Sequence, residues 1–477
     1  MSEASLRSIV EHLATHGYSV EKDAVRRIQR ADDPDAMLDD LLGSVDEETI
    51  TITEDHVELA ISQTEEVSPA STPRRGEAEV AVVHDMTGQS TGTGDYDDFV
   101  ALFRDRYDRL RQLLTDRVRA RSITSLGDGG QRHTIGVIGM VTDIRSTANG
   151  HWMLDLEDRT GQCRALIHAD NDAHESVREI LMDEVIGIQG TLSDDGELVF
   201  VDELFHPDIP LSNESNRADR HVEAALVSDL HIGSQEFASD AWRAFADWLH
   251  TNEAEAVEYL LIAGDMVDGV GIYPGQAEEL SIVDVYEQYA AFTEELKIVP
   301  GDLEIVIIPG NHDAVRLAEP QPGFDAELRS MLAVHGAEVI SNPGWVELEG
   351  VTVLMYHGTS LDDVIAEVPA TVADYTRPDL AMRLLLQKRH LAPMFGSRTR
   401  IAPEERDYLV IDDIPDVFHA GHTHTLGVSS YRDVSIINSA SWQHQTPFQR
   451  RVNIEPDVGV APIIDLQTLE VTVRSFT

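Results

Sequence analysis

Leu303-Glu304-Ile305-Val306-Ile307-Ile308-Pro309-Gly310-Asn311-His312-Asp313 is an apolar run that stops at a proline and opens into an amide, an imidazole and a carboxylate. A short run rich in β-branched residues and closed by Pro-Gly predicts a buried strand. Open α/β sheets place ligand sites beyond the carboxyl ends of their strands. The stretch therefore predicts a sheet edge carrying chemistry.

Other strand ends supply partners. Residues 222–228 run into Asp229-Leu230-His231, and residues 259–263 into Gly264-Asp265-Met266-Val267-Asp268. Residues 351–356 lead to His357-Gly358, and residues 416–420 to Gly421-His422-Thr423-His424. Helical spacing over 240–250, 282–296 and 379–391 fills the intervals. Strand–loop–helix alternation of this kind predicts a layered α/β unit over 211–477. A lone histidine is more often a core or surface residue than a ligand, and Gly-Asp is usually a turn. Five such pieces in order, each behind an apolar strand, point to a shared site.

The chain has 477 residues, 86 acidic against 36 basic, and a net charge of −50. Only Lys22, Lys297 and Lys388 are lysines. The acids are spread along the chain rather than gathered in a tail, which reads as adaptation to a salt-rich cytoplasm. Any polyanion site must then be local. Cys163 is the single cysteine, which excludes an internal disulfide framework and a cysteine-rich zinc site. With no apolar stretch of membrane length and no leader pattern, the expected location is the cytoplasm.

Upstream, residues 1–64 have helix-like spacing, with Leu6, Ile9, Val10, Leu13, Val25 and Ile28 among the apolar positions. They are read as a small helical docking module. Ser, Thr, Pro, Gly and acids dominate 65–95, which reads as a flexible acidic linker. Residues 96–122 form a connecting helix whose arginines alternate with Asp105, Asp108 and Asp116, favouring a solvated, ion-paired face over a DNA-binding one. Five short runs between 123 and 210 with turn signals between them suggest an antiparallel, oligonucleotide-binding (OB) type β-barrel. Trp152 and Phe200 are its only strand aromatics, so a subunit contact is as good a reading as a nucleic-acid site.

Asp-x-His, Gly-Asp-x-x-Asp, Gly-Asn-His-Asp, His and Gly-His-x-His together resemble the signatures of calcineurin-like metallophosphoesterases. The resemblance implies a phosphoesterase β-sandwich flanked by helices. One metal would be held by Asp229, His231, Asp265 and His424, and a second by Asp265, Asn311, His357 and His422. Asp265 would bridge them. His312 would stabilise the transition state and protonate the leaving oxygen, with Asp313 orienting it. Asp268 could equally be a supporting or a turn residue. Carboxylate, amide and imidazole donors suit divalent ions such as Mn²⁺, Fe²⁺ or Zn²⁺ better than an all-oxygen Mg²⁺ or Ca²⁺ cage; Mn²⁺ is the expected ion, with Fe²⁺, Zn²⁺ or Mg²⁺ as alternatives. Such an ion pair, about 3.5–4 Å apart, serves in-line displacement at phosphorus.

Residues 377–412 sharpen the resemblance. Leu384-Leu385-Leu386-Gln387-Lys388-Arg389-His390-Leu391-Ala392-Pro393, with Ile401-Ala402-Pro403 behind it, is similar to the small subunits of archaeal D-family DNA polymerases. That family implies a proofreading 3′-to-5′ exonuclease acting on DNA. Its partners would be a large catalytic polymerase subunit and a sliding clamp. Arg383, Lys388, Arg389, Arg398 and Arg400 form the densest basic cluster, read as a DNA-positioning ridge or, equally, a solvated helix face or subunit contact. A metal-free scaffold subunit and a stand-alone phosphatase are the competing readings.

Overall fold

The computed structural model describes residues 13, 18–20, 24, 25, 28, 51–53, 78–128, 134–451 and 453–477. The chain divides into two compact units, Met1–Thr72 and Pro73–Thr477. In the first unit, Leu13, Val25 and Ile28 are buried helical residues, and β1 (Ser19–Val20) pairs in parallel with β2 (Thr51–Ile52). Helical spacing alone gives no sign of that strand pair; the remainder of the predicted helical module lies outside the described residues.

The second unit opens with β3 (Val80–His84) and α1 (Tyr96–Leu114). A closed barrel follows from β4 (Thr134–Ser146), β5 (Trp152–Glu157), β6 (Gln162–Ile167), β7 (Val185–Leu192) and β8 (Leu198–Phe205), in the order β4-β5-β6-β8-β7. The expectation of a wholly antiparallel barrel needs one correction. A closed ring with an odd number of strands cannot alternate direction throughout, and the parallel pair is β6 with β8.

The remaining strands are β9 (Glu223–Val227), β10 (Val257–Ala263), β11 (Glu304–Ile308), β12 (Glu338–Val339), β13 (Gly344–Leu348), β14 (Val351–Tyr356), β15 (Val417–Ala420), β16 (Gly427–Tyr431), β17 (Val434–Asn438), β18 (Val460–Asp465) and β19 (Val471–Ser475). They form two six-stranded sheets, β12-β11-β10-β9-β18-β19 and β16-β17-β15-β14-β13-β3. Every residue of β10 is buried, as expected of a strand covered on both faces. Leu226, Leu261 and Val306 from the first sheet meet Val353, Met355 and Ile437 from the second in one apolar layer. The outer face of the first sheet is covered by α2 (Ser239–Leu249), through Trp242 and Phe245, and by α3 (Val285–Lys297), through Tyr289 and Phe292. A short helix, α4 (Ala326–Leu332), packs beside them through Leu328 and Leu332. α5 (Leu361–Glu367) and α6 (Pro378–Lys388) cover the second sheet. Two sheets inside and helices on both outer faces make four layers. Strands β9, β10 and β11 are mutually parallel, as are β14, β15 and β17, so six carboxyl ends gather where the two sheets meet.

Two further expectations are corrected. Part of the presumed linker is structure: β3 is an edge strand paired with β13. Just beyond it, the buried Glu404 carboxylate accepts hydrogen bonds from Ser90 Oγ (2.6 Å), Thr91 N (2.6 Å) and Gly92 N (3.0 Å). Residues 65–77 of that stretch lie outside the described residues. Nor is α1 only a solvated face. Arg106 is fully buried, with Nε 2.7 Å from Asp407 Oδ2, because its partner sits on the layered unit rather than on the same helix.

Candidate metal centre

Each motif residue lies just beyond a strand. Asp229 and His231 follow β9, Asp265 follows β10, Asn311 follows β11, His357 follows β14, and His422 and His424 follow β15. The loops are stitched together by backbone bonds, including Asp229 N to Gly264 O and His231 N to Asp265 O at 3.0 Å. Asp229 (φ 55°), His231 (51°), Asp265 (51°), His422 (71°) and His424 (58°) all lie in the left-handed region. Such backbone costs of order 1–3 kcal/mol each, and its clustering marks a site held by its surroundings. Two glycines make the approach possible. A Cβ on Gly310 would stand 2.2 Å from Asp265 Oδ1, and one on Gly421 2.5 Å from Asp229 Oδ2.

The side chains converge in three groups, two of them built from predicted ligands, Asp229 with His231 and His424 and Asp265 with His357 and His422, and a third of His231 with Asp268 and His312. In the first, His231 Nε2 lies 3.0 Å from His424 Nε2 and 3.7 Å from Asp229 Oδ1. In the second, His357 Nε2 lies 3.2 Å from Asp265 Oδ2 and 3.0 Å from Asn311 Oδ1. Asp265 Oδ2 is also 3.8 Å from His231 Nε2, so this one oxygen faces both groups.

The donors fit cations. Asp229 Oδ2 is tied down by Ser228 Oγ (2.5 Å) and His422 N (2.9 Å), while its buried Oδ1 has no hydrogen-bond partner among the described residues. Asp265 Oδ1 accepts from His312 N at 2.8 Å, which turns Oδ2 to the centre. Four imidazoles are anchored by one nitrogen and present the other. His357 Nδ1 donates to Ala263 O (2.8 Å), His231 Nδ1 lies 3.1 Å from Asp268 Oδ1, His424 Nδ1 meets Gln449 Nε2 (2.8 Å), and His422 Nε2 lies 3.4 Å from Asp362 Oδ2. Outward contacts of this kind fix the orientation of the rings, and the carbonyl and carboxylate partners of His357, His231 and His422 are of the type that supports metal-ligating histidines. Burial pushes the Asp265 and Asp229 carboxyls up, but the surrounding imidazoles, His357 for Asp265 and His424 for Asp229, outweigh it and hold both below the usual carboxylate range. Both stay anionic at neutral pH.

All seven predicted ligand positions come together here. Of the predicted catalytic pair, His312 joins them and Asp313 does not. His312 Nδ1 bonds to the backbone carbonyl of Asp268 at 2.7 Å, and its ring packs edge-on to His231 at 4.7 Å. Asp313 turns the other way and accepts from Gly310 N (2.8 Å) and Tyr289 OH (3.0 Å). Its role is to hold the 310–313 turn against α3, not to orient His312. Burial, with Asp265 nearby, pushes the Asp313 carboxyl up to about 7.

The basic ridge is also corrected. Lys388 is buried with Nζ 2.6 Å from Glu184 Oε2 on the barrel side, and Arg389 is buried with Nε donating to Ile411 O at 2.8 Å. Arg383 is half-buried, and only Arg398 and Arg400 are exposed. Hydropathy could not separate these residues, because burial of a cation is decided by a partner distant in sequence. Asp362, Gln443 and Gln449 also support the site, yet they belong to no motif and carry no signal in the sequence. Gln443 Nε2 donates to Asp268 Oδ1 at 2.9 Å. Of the supporting set, only Asp268 carried a signal, as the last residue of Gly-Asp-x-x-Asp.

Residues 224–426 match the family model for the B-type subunits of DNA polymerases alpha and epsilon. The chain is 51% identical to the DNA polymerase II small subunit of Halobacterium salinarum, over 100% of this chain and 99% of that protein. It is 37% identical to that of Archaeoglobus fulgidus (95% and 94% covered) and 37% to that of Methanothermobacter thermautotrophicus (96% and 98%). With a barrel, a layered α/β unit and full-length likeness to these proteins, the chain belongs to the family of archaeal DNA polymerase II small subunits.

Proposed function

We propose that this chain is the proofreading nuclease subunit of its polymerase, hydrolysing phosphodiesters at a DNA 3′ end with two divalent ions, and that it works bound to a large catalytic subunit. On this reading the four layers are a calcineurin-like phosphoesterase sandwich and the barrel is of the oligonucleotide-binding type. One observation carries the proposal. Asp229 and Asp265 each have one oxygen tied by protein donors and the other turned, buried, onto imidazoles. Asp229 Oδ1 has no hydrogen-bond donor among the described residues, and two buried carboxylates that turn an oxygen onto converging imidazoles suit a bound cation better than a scaffold.

Asp229, His231, Asp265 and His424 would hold one ion and Asp265, Asn311, His357 and His422 the other. Bound there, the ions supply Lewis-acid activation of water and of the phosphoryl group. The protein supplies the positioning. Asp268 and Gln449 keep the His231 and His424 rings turned inward, so the donor set does not reorganise when substrate arrives. His312, anchored at Nδ1, presents Nε2 to the cleft as the group that passes a proton to the leaving 3′ oxygen.

The test is mononucleotide release from 3′-mismatched DNA by the full chain, alone and with its large subunit, in high salt with Mn²⁺. Controls are a phosphoprotein, a cyclic nucleotide and the Asp265→Asn chain. Release from DNA that disappears in Asp265→Asn is expected. No release in any setting would leave a scaffold, and activity confined to the controls would leave a phosphatase.

A further inference from the structure

With Lys388 and Arg389 of the predicted ridge buried, the cleft has a further wall. The cavity beside the two histidine groups is small, about 150 Å³. Pockets that enclose a whole drug-sized molecule are about 300–1,000 Å³, so this one has room inside it for a single residue-sized group. His231, His312 and His422 line its floor, and Tyr273 and Phe448 line its side. Tyr273 and Phe448 are stacked, with centroids 5.4 Å apart and planes 24° from parallel. Tyr273 is fixed by its hydroxyl, which donates to Glu279 Oε2 at 3.0 Å. Phe448 remains 45% exposed despite this partner.

Phe448 stands on α7 (Pro447–Arg451), and the neighbouring residue on that turn, Gln449, holds the His424 ring. Ring and donor set therefore share one rigid turn. The turn is tied by Thr446 N donating to Gln449 Oε1 (3.0 Å) and Gln449 N to Thr446 Oγ1 (3.2 Å). It ends in Arg450 and Arg451, both exposed; Arg450 Nη2 donates to Gln445 O at 3.0 Å, and neither forms an ion pair among the described residues. In a chain of net charge −50, two exposed arginines directly after the cleft-lining Phe448 and Gln449 supply local positive charge of the kind a polyanion needs.

We infer that Phe448, backed by Tyr273, is the stacking platform for the terminal nucleobase of the strand, and that Arg450 and Arg451 take the phosphates behind it. The inference rests on the proposed nuclease reading and adds to it the element that positions the substrate. A ring stacks on any base and reads no sequence. It engages a base only when that base has left its own stack and pair. The platform thus selects an unpaired end by geometry, and Phe448 is a positioning residue rather than a catalytic one.

The test uses the full chain with its large subunit, in high salt with Mn²⁺, and oligonucleotides that differ only in whether the 3′-terminal nucleotide carries a base or is abasic. Removing the base should raise KM about tenfold in the wild type, or ~1.4 kcal/mol, within the range for one base on one ring. Phe448→Ala should raise KM by a similar factor on the intact oligonucleotide and lose no more on the abasic one. Phe448→Trp should restore the base effect. In a separate binding measurement, a 3′-terminal 2-aminopurine should be quenched by the wild type and by Phe448→Trp, and markedly less by Phe448→Ala. Equal losses in Phe448→Ala on both oligonucleotides, or undiminished quenching, would overturn the platform. Wild-type hydrolysis of methyl p-nitrophenyl phosphate, which has no base, reports on the ion site separately. If that fails the nuclease reading falls; if it succeeds without a base effect, only this inference falls.

Discussion

At the scale of single residues, the site separates groups that face the cleft from groups that hold it. His312 and Asp313 are adjacent in sequence and opposite in direction, one toward the cleft and one toward Tyr289. Their substitutions should therefore fail in different ways. His312→Ala should lower kcat on DNA by about 10²–10⁴ while leaving the thermal midpoint nearly unchanged, since the ring contributes one hydrogen bond. Asp313→Asn should do the reverse. It replaces the acceptor facing Gly310 N or Tyr289 OH with an NH₂ group and costs ~1–3 kcal/mol of stability, with a smaller loss in kcat. Single-turnover kinetics and thermal melts of both variants decide it. Equal kcat losses would restore Asp313 to a place behind His312. The motif residues were legible because each ends an apolar strand, and strand ends of parallel sheets are where side chains of distant segments meet. Direction was not legible, since the backbone turn that separates His312 from Asp313 depends on α3.

At the scale of elements, buried ionic links explain why charged segments are hard to read from composition. Lys388 ends α6 and pairs with Glu184, which is about two hundred positions away on the barrel side. Nothing in the local composition distinguishes it from a surface lysine. Lys388→Met should leave Glu184 buried without a cation and destabilise by ~3–5 kcal/mol, with no change in DNA affinity of the folded fraction; a DNA-binding lysine would show the opposite. Glu404 plays the same part for the segment at 90–92, which composition marked as linker. Burial pushes its carboxyl up, but donors from Ser90, Thr91, Gly92 and Arg316 hold it down to about 2, against 4.5 for a free side chain. A folded value below the unfolded one means the contribution is complete above about pH 5 and is lost as pH falls toward 2. Acid melts in high salt should show wild type losing its advantage over Glu404→Gln across that window. A constant difference from pH 7 to pH 3 would exclude the ionised carboxylate as the cause. Strand β3 escaped detection for a related reason: its exposure pattern, with four of five residues exposed, lacks the apolar–polar alternation that identifies a half-buried strand.

At the scale of the whole molecule, a charge of −50 and a buried anionic site make different demands on cations. The surface charge is diffuse, and monovalent salt screens it over ~3 Å at 1 M. Stability should therefore climb from low to multimolar KCl through reduced self-repulsion, with no dependence on any one residue. The site at the strand ends is enclosed: Asp229, Asp265 and His357 are each at most 1% exposed. Charges buried to that degree are screened far less. Divalent ions should accordingly stabilise the chain by mass action, ~2.7 kcal/mol at a hundredfold excess over Kd, in high salt as in low. Melts with Mn²⁺ and with EDTA, at roughly 0.5 M and roughly 3 M KCl, separate the two effects. A Mn²⁺ shift that survives the higher salt and disappears in Asp229→Asn assigns it to the carboxylate oxygen that has no protein donor. A shift that fades with KCl in step with screening assigns it to the surface, and Asp229 would then need another reason for being buried with one oxygen unbonded.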